Sequence, residues 1–82
     1  MALSALAFLA GDMQRLGRFL ALTGLGPAEL RKEARSPRLL AAVLDHLSRD
    51  ESLLLTFAST HDLDPQLVGK ALHRLEAMED PG

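Results

Sequence analysis

Ser36-Pro37-Arg38-Leu39-Leu40-Ala41-Ala42-Val43-Leu44-Asp45-His46-Leu47-Ser48-Arg49-Asp50 is the stretch on which the fold turns. Leu39, Leu40, Val43, Leu44 and Leu47 recur at steps of three and four, which gathers them on one side of an α-helix and would scatter them over both faces of a strand. Pro37 suits the first helical position, where a missing N–H costs nothing. Ser36 before it can accept a hydrogen bond from the free N–H groups of the first turn. Asp50, past the end of the stripe, has the right chemistry to do the same for a following helix. The stretch therefore reads as a capped amphipathic helix with another helix behind it.

The composition generalises that reading. The chain has 82 residues, among them 19 Leu and 12 Ala, against 2 Val, 3 Thr and no Ile. Ala and Leu are strong helix formers, whereas strands draw on β-branched residues. The expected class is all-α, a single compact domain of about six short helices spanning residues 1–82. Cysteine is absent, so disulfides, a thiolate nucleophile and cysteine-ligated zinc are excluded. The first apolar run, Ala2 to Ala10, is too short to cross a bilayer, which takes about 20 residues, and no basic residue precedes it as in a secretory signal. A cytoplasmic protein that does not enter the membrane is expected.

Sliding the chain by 38 positions reveals an internal match. Leu6, Leu9, Asp12, Leu16, Phe19, Leu25, Pro27 and Lys32 fall on Leu44, Leu47, Asp50, Leu54, Phe57, Leu63, Pro65 and Lys70. The leucines carry little weight in so leucine-rich a chain, but Asp, Phe and Pro are scarcer and do different physical work. Two pseudo-repeated three-helix halves, about 2–35 and 40–73, are expected.

Each half then divides in the same way. Helix one runs from Ala2 to Ala10 and stops at Gly11. Asp12 caps helix two, Met13 to about Thr23, which Gly24 ends. Gly26-Pro27 opens helix three, expected to end near Arg35. Helix four starts at Pro37, helix five follows Asp50, and helix six starts at Asp64-Pro65 with Leu67, Val68, Ala71, Leu72, Leu75 and Met78 inward. The tail Glu79 to Gly82 is expected to fray. Phe19 and Phe57 should anchor helix ends, with Leu25 and Leu63 pinning the loops that follow. On helix five, Leu53, Leu54 and Leu55 span about 200° of circumference. Helix five is therefore either the central element or the bearer of a contact surface.

No constellation for catalysis stands out. His61, Asp62 and Asp64 come nearest to a metal cluster, but Asp64 reads better as a helix cap and His61 as a residue meeting a helix C-terminus. His46 stands beside Asp45 and four residues before Asp50, and His73 lies near Glu76. Ser4, Ser36, Ser48, Ser52 and Ser59 occupy no nucleophile elbow. Gly24-Leu25-Gly26 lacks both a preceding strand and a third glycine, so it is no phosphate loop. No cofactor, metal or small-molecule substrate is indicated, and the chain is not expected to be an enzyme.

Charge is unevenly placed. Residues 1–44 hold six Arg and Lys against three Asp and Glu, a formal +3; residues 45–82 hold three against eight, a formal −5. The densest basic run is Arg31, Lys32, Arg35 and Arg38. With an overall pI near 5.8 and no aromatic residue beside that run, nucleic acid is disfavoured as its partner. The plainest reading of the run is a solvated face whose cations complement the end of helix three.

The segment Arg15-Leu16-Gly17-Arg18-Phe19-Leu20-Ala21-Leu22-Thr23-Gly24-Leu25 followed by Leu30-Arg31, and Leu40-Ala41-Ala42-Val43-Leu44-Asp45-His46-Leu47 followed by Asp50-Glu51, together resemble a family of short bacterial proteins, the domain-of-unknown-function family numbered 3572. The resemblance extends from about Ala2 to Leu75. It implies a single-domain bacterial cytoplasmic protein and supplies no activity or site residues.

Two functional expectations follow. The first is a non-enzymatic helical module that binds a protein partner or a second copy of itself as a homodimer, through Arg31, Lys32, Arg35, Arg38, Leu53 and Leu55. The alternative is a small nucleic-acid-binding domain that uses the basic run from Arg31 to Arg38.

Overall fold

The computed structural model describes residues 1–79. It contains α1 (Ala2–Ala10), α2 (Met13–Thr23), α3 (Pro27–Lys32), α4 (Pro37–Ser48), α5 (Glu51–Thr60) and α6 (Gln66–Glu79), with no strand among the described residues. The expected all-α class and the six helices are present. The fraying expected of Glu79 to Gly82 does not reach Glu79, which still belongs to α6, and for residues 80–82 it falls outside the described ones.

The helix starts are fixed by local chemistry. The Asp12 carboxylate accepts from the N–H groups of Gln14 and Arg15, at 2.9 and 3.2 Å. Asp50 accepts from Leu53 N–H at 3.1 Å, Ser36 from Arg38 N–H at 3.2 Å, and Asp64 from Gln66 N–H at 2.9 Å. Each bond satisfies a donor that the helix itself leaves free, and is worth about 1 kcal/mol. Helix α3 ends at Lys32, three residues before the expected Arg35. Pro37 holds Ser36 in an extended conformation, φ −68° and ψ 133°. The chain must therefore leave the helix early, and it turns through residues 33–35 with Ser36 N–H donating to Glu33 O at 2.8 Å.

The core gathers around α4, which packs against α1, α2, α5 and α6. Its Val43, Leu44 and Leu47 are fully buried, together with Leu9 of α1, Phe19 of α2, Phe57 of α5 and Val68 of α6. Burying each such side chain contributes about 1.5–3 kcal/mol. Leu25 and Leu63 pack half-buried against this cluster, as expected of loop pins.

The centre of the bundle is α4, which corrects the expectation that helix five could hold that place. On α5 only Phe57 and Ala58 point fully inward; Leu53 and Leu54 are half-buried, and Leu55 is 48% exposed. A helix at the rim has one covered face, so the third leucine of the run has nowhere to go but solvent. Two expected inward residues of α6 are also exposed, Leu67 at 40% and Met78 at 67%. Both residues lie near the ends of α6, Leu67 second from its start and Met78 second from its end.

Positions 38 apart share local roles. Asp12 and Asp50 both cap, and Phe19 and Phe57 are both fully buried. Among the described residues those with left-handed backbone are Gly24, φ 76°, and Asp62, φ 53°, again 38 apart. The aromatic contacts are reciprocal: Phe8 meets Phe57 edge-on at 5.3 Å between centroids, and His46, at the position matching Phe8, meets Phe19 edge-on at 5.3 Å. Each half thus places a ring against the buried phenylalanine of the other. The molecule is a slab of 31 × 31 × 17 Å with 5537 Å² of accessible surface, above the roughly 4,800 Å² typical of its mass.

Candidate functional site

The four cations singled out in the sequence lie together on the connection from α3 to α4. Arg31 and Lys32 occupy the last turn of α3, Arg35 the turn after it, and Arg38 the first turn of α4. All four are exposed, and none forms an ion pair with a described residue; the ion pairs present are Arg15–Asp12, Arg18–Asp50 and Arg49–Asp45. On one side Arg38 borders a shallow cleft with Thr23, Leu25, Glu29, Glu33 and Leu39. On the other it borders a second shallow depression with Ser36, Pro37 and the exposed Met78. Leu53 and Leu55 do not share either of these. Leu55 stands on the outer face of α5, and Leu53 lines a different cleft altogether.

That third cleft, of about 370 Å³, opens where α2, α4 and the start of α5 meet. Gln14, Arg15, Arg18, His46, Asp50 and Leu53 form its walls. Arg15 and Arg18 are three residues apart on α2, so both side chains leave the same face of that helix. Arg18 Nη1 lies 4.0 Å from Asp50 Oδ2, at the outer limit of an ion pair, and its side chain remains 71% exposed. The Arg15 guanidinium lies 4.6 Å from the centroid of the Phe8 ring, a cation–π geometry that positions it at the edge of the cleft.

His46 forms the inner wall. Its ring packs edge-on against Phe19, and its Nε2 is buried without a hydrogen-bond partner. Burial lowers its pKa from the ordinary 6.5, because a charged imidazole loses hydration there; Asp50 opposes that shift, Arg18 adds to it, and Asp45 opposes it again. The ring is therefore neutral at pH 7, with a polar nitrogen awaiting a partner. In the sequence His46 stood out only for its acidic neighbours. The Arg15–Arg18 pair on one helical face was the available signal for this cleft, but nothing local placed that face opposite α4.

With both surfaces described, the comparison with known proteins becomes specific. A family model described as a protein of unknown function (DUF3572) matches residues 1–78. The chain belongs to the DUF3572 family. The resemblance seen in Arg15 to Leu25 and Leu40 to Leu47 thus holds over nearly the whole sequence. No curated protein and no solved structure matches it.

Elsewhere in the DUF3572 chain the titratable residues are separated. No group of three or more His, Asp or Glu converges as metal ligands would among the described residues. Asp64 is engaged as a cap, Asp62 sits in the left-handed turn, and the His61 ring leans on Phe57 and Phe8 at 4.7 and 6.3 Å. Among the described residues no helix is long and apolar enough to cross a membrane.

Proposed function

We propose that this DUF3572 protein is a non-enzymatic, cytoplasmic protein-interaction module, and that its basic segment docks on an acidic protein surface. The observation that carries this reading is the state of Arg31, Lys32, Arg35 and Arg38: four exposed cations without ion pairs to any described residue, the last of them bordering the exposed Met78. Exposed charge around an apolar side chain is the usual make-up of an interface patch, with the charges guiding encounter and the apolar group supplying burial. The slab shape leaves broad faces for such a contact.

The chain itself carries exposed charge of the opposite sign. Glu51, Asp62, Asp64 and Glu76 are exposed and lie in the half with the formal −5. A second copy is therefore the partner we put first, the basic segment of one molecule meeting the acidic half of another. Sedimentation at low salt should show the mean mass rising with concentration. About 0.5 M salt, which shortens electrostatic range to a few ångströms, should return it to the monomer. The double variant Arg35→Glu and Arg38→Glu should stay monomeric throughout. A wild-type chain that remains monomeric at millimolar concentration in low salt would overturn self-association.

The nucleic-acid reading is the alternative, resting on the same four cations. Bases are held by stacking on aromatic side chains, and here Phe19 and Phe57 are fully buried while Phe8 lies beneath Arg15. Absence of a mobility shift at low salt eliminates it.

A further inference from the structure

We propose that the cleft between α2, α4 and the start of α5 is a binding site for an oxyanion, a phosphate or carboxylate group held by Arg15, Arg18, Gln14 and His46. The inference concerns a different surface from the basic segment: His46 is eight residues beyond Arg38 on α4, about 12 Å along the axis.

The geometry supplies the donors such a group needs. Two guanidinium groups and a side-chain amide border one cleft of about 370 Å³, ample for a tetrahedral or planar anion. Among the described residues Arg18 makes one ion pair, at 4.0 Å, which leaves most of its N–H groups for a ligand. The Arg15 guanidinium is steadied by the Phe8 ring, so little of its freedom remains to be lost on binding. The orphaned His46 Nε2 is the second, independent observation. A buried polar atom without a partner needs an explanation, and here it belongs to an imidazole that lines the same cleft as the arginines. As an N–H donor, neutral or protonated, it completes the set. Asp50 is the one carboxylate lining the cleft, and it already accepts from Leu53 N–H and faces Arg18.

The 38-residue correspondence shows that this polarity is confined to one side. The positions matching Gln14, Arg15, Arg18 and His46 are Ser52, Leu53, Thr56 and Phe8. On that side a phenyl ring covered by the Arg15 guanidinium stands where the cleft has an unpartnered imidazole. One ring contact stays apolar; the other, where His46 of the second half meets Phe19, adjoins Arg15 and Arg18 of the first half. A purely structural contact had no need of that difference, since phenylalanine serves it on the other side.

The test is carbon–proton NMR of the histidine rings in the full chain, titrated with inorganic phosphate while chloride holds ionic strength constant. His61 and His73 serve as internal references. The His46 signals should move saturably while the other two barely move, and the ring pKa should rise when the anion binds, because the charged imidazole gains a partner facing Arg15, Arg18, Asp45 and Asp50. Arg18→Gln should weaken binding by roughly tenfold or more, the usual loss for one charge-assisted hydrogen bond. His46→Phe keeps a ring where Phe8 shows one fits, so it should fold and lose binding, read by the shifts of the Gln14 amide. Acetate in parallel distinguishes a carboxylate ligand from a phosphate one, and a saturable response to either supports the site. A His46 response no larger than that of His61 and His73 with both anions, or an Arg18→Gln variant that binds like the wild type, would overturn it. Arg35→Glu with Arg38→Glu should leave this binding intact, which separates its failure from that of the self-association reading.

Discussion

Several positions 38 apart in residues 2–35 and 40–73 share a local task, yet the two stretches are not equal partners in the fold. Both halves cap their second helix with aspartate and bury one phenylalanine from it. Both turn through a left-handed residue, glycine in the first half and aspartate in the second. They diverge in the third helix. In the first half it stops after 6 residues and buries none of them; in the second it runs 14 residues and packs closely along α4. The first half therefore leans on the second for its cover, and α4 serves both. Matching local patterns do not produce matching tertiary roles, because a short helix ended by a proline cap cannot offer the area that a four-turn helix can.

The comparison can be broken most directly at its strongest shared feature. Phe19→Ala and Phe57→Ala should each cost about 3–5 kcal/mol, a large share of the roughly 4–12 kcal/mol that a domain of this length has to lose. Chemical denaturation would show both midpoints falling steeply, to unfolding in water if the wild type lies at the low end of that range. If one variant kept near-wild-type stability, the reciprocal ring contacts would not be equivalent supports.

A smaller effect sharpens the asymmetry. Val68 of α6 is fully buried, whereas Leu30, its match on α3, is only half-buried. Val68→Ala removes less side chain than Leu30→Ala but should cost more, about 2 kcal/mol against about 1. Equal midpoints in a urea series would mean that α3 contributes as much to the core as α6.

The least effect separates Phe8 from His46. The folded pKa of His46 is held below the ordinary 6.5, chiefly by burial, so the fold prefers the neutral ring. Above that ordinary value folded and unfolded chains are both neutral, and the full stability is present. As the pH falls through it toward the lowered folded value, the unfolded chain takes up a proton first, and stability declines. Thermal midpoints recorded from about pH 8 to about pH 5 should fall less steeply in His46→Phe than in the wild type. Identical slopes would show that His46 does not sense the folding transition.

How much was legible in the sequence varied with the reach of the interaction. Asp12, Ser36, Asp50 and Asp64 were readable as caps because each bonds an N–H two or three residues ahead. The stripe of α4 was readable because helical periodicity is a property of neighbours. Phe19 and Phe57 stood out as anchors through their repetition alone. The basic run was visible as charge, although whether its cations were already paired was not. The end of α3 was misplaced because the constraint that Pro37 imposes on Ser36 propagates backward, and the apolar pattern does not record it. The cleft was not legible: Arg15 and Arg18 on one helix meet His46 on another only through packing.

The sequence by itself determined the helices, where they start, the apolar stripe of α4, and the family. These follow from hydrogen bonds and periodicities that span a few residues. Only the tertiary structure decided that α4 rather than α5 is the centre, that Leu55 is the leucine of the α5 run left in solvent, and that the His46 imidazole lines one cleft with two arginines. Such outcomes depend on which apolar faces cover one another, and that competition is settled among all six helices at once.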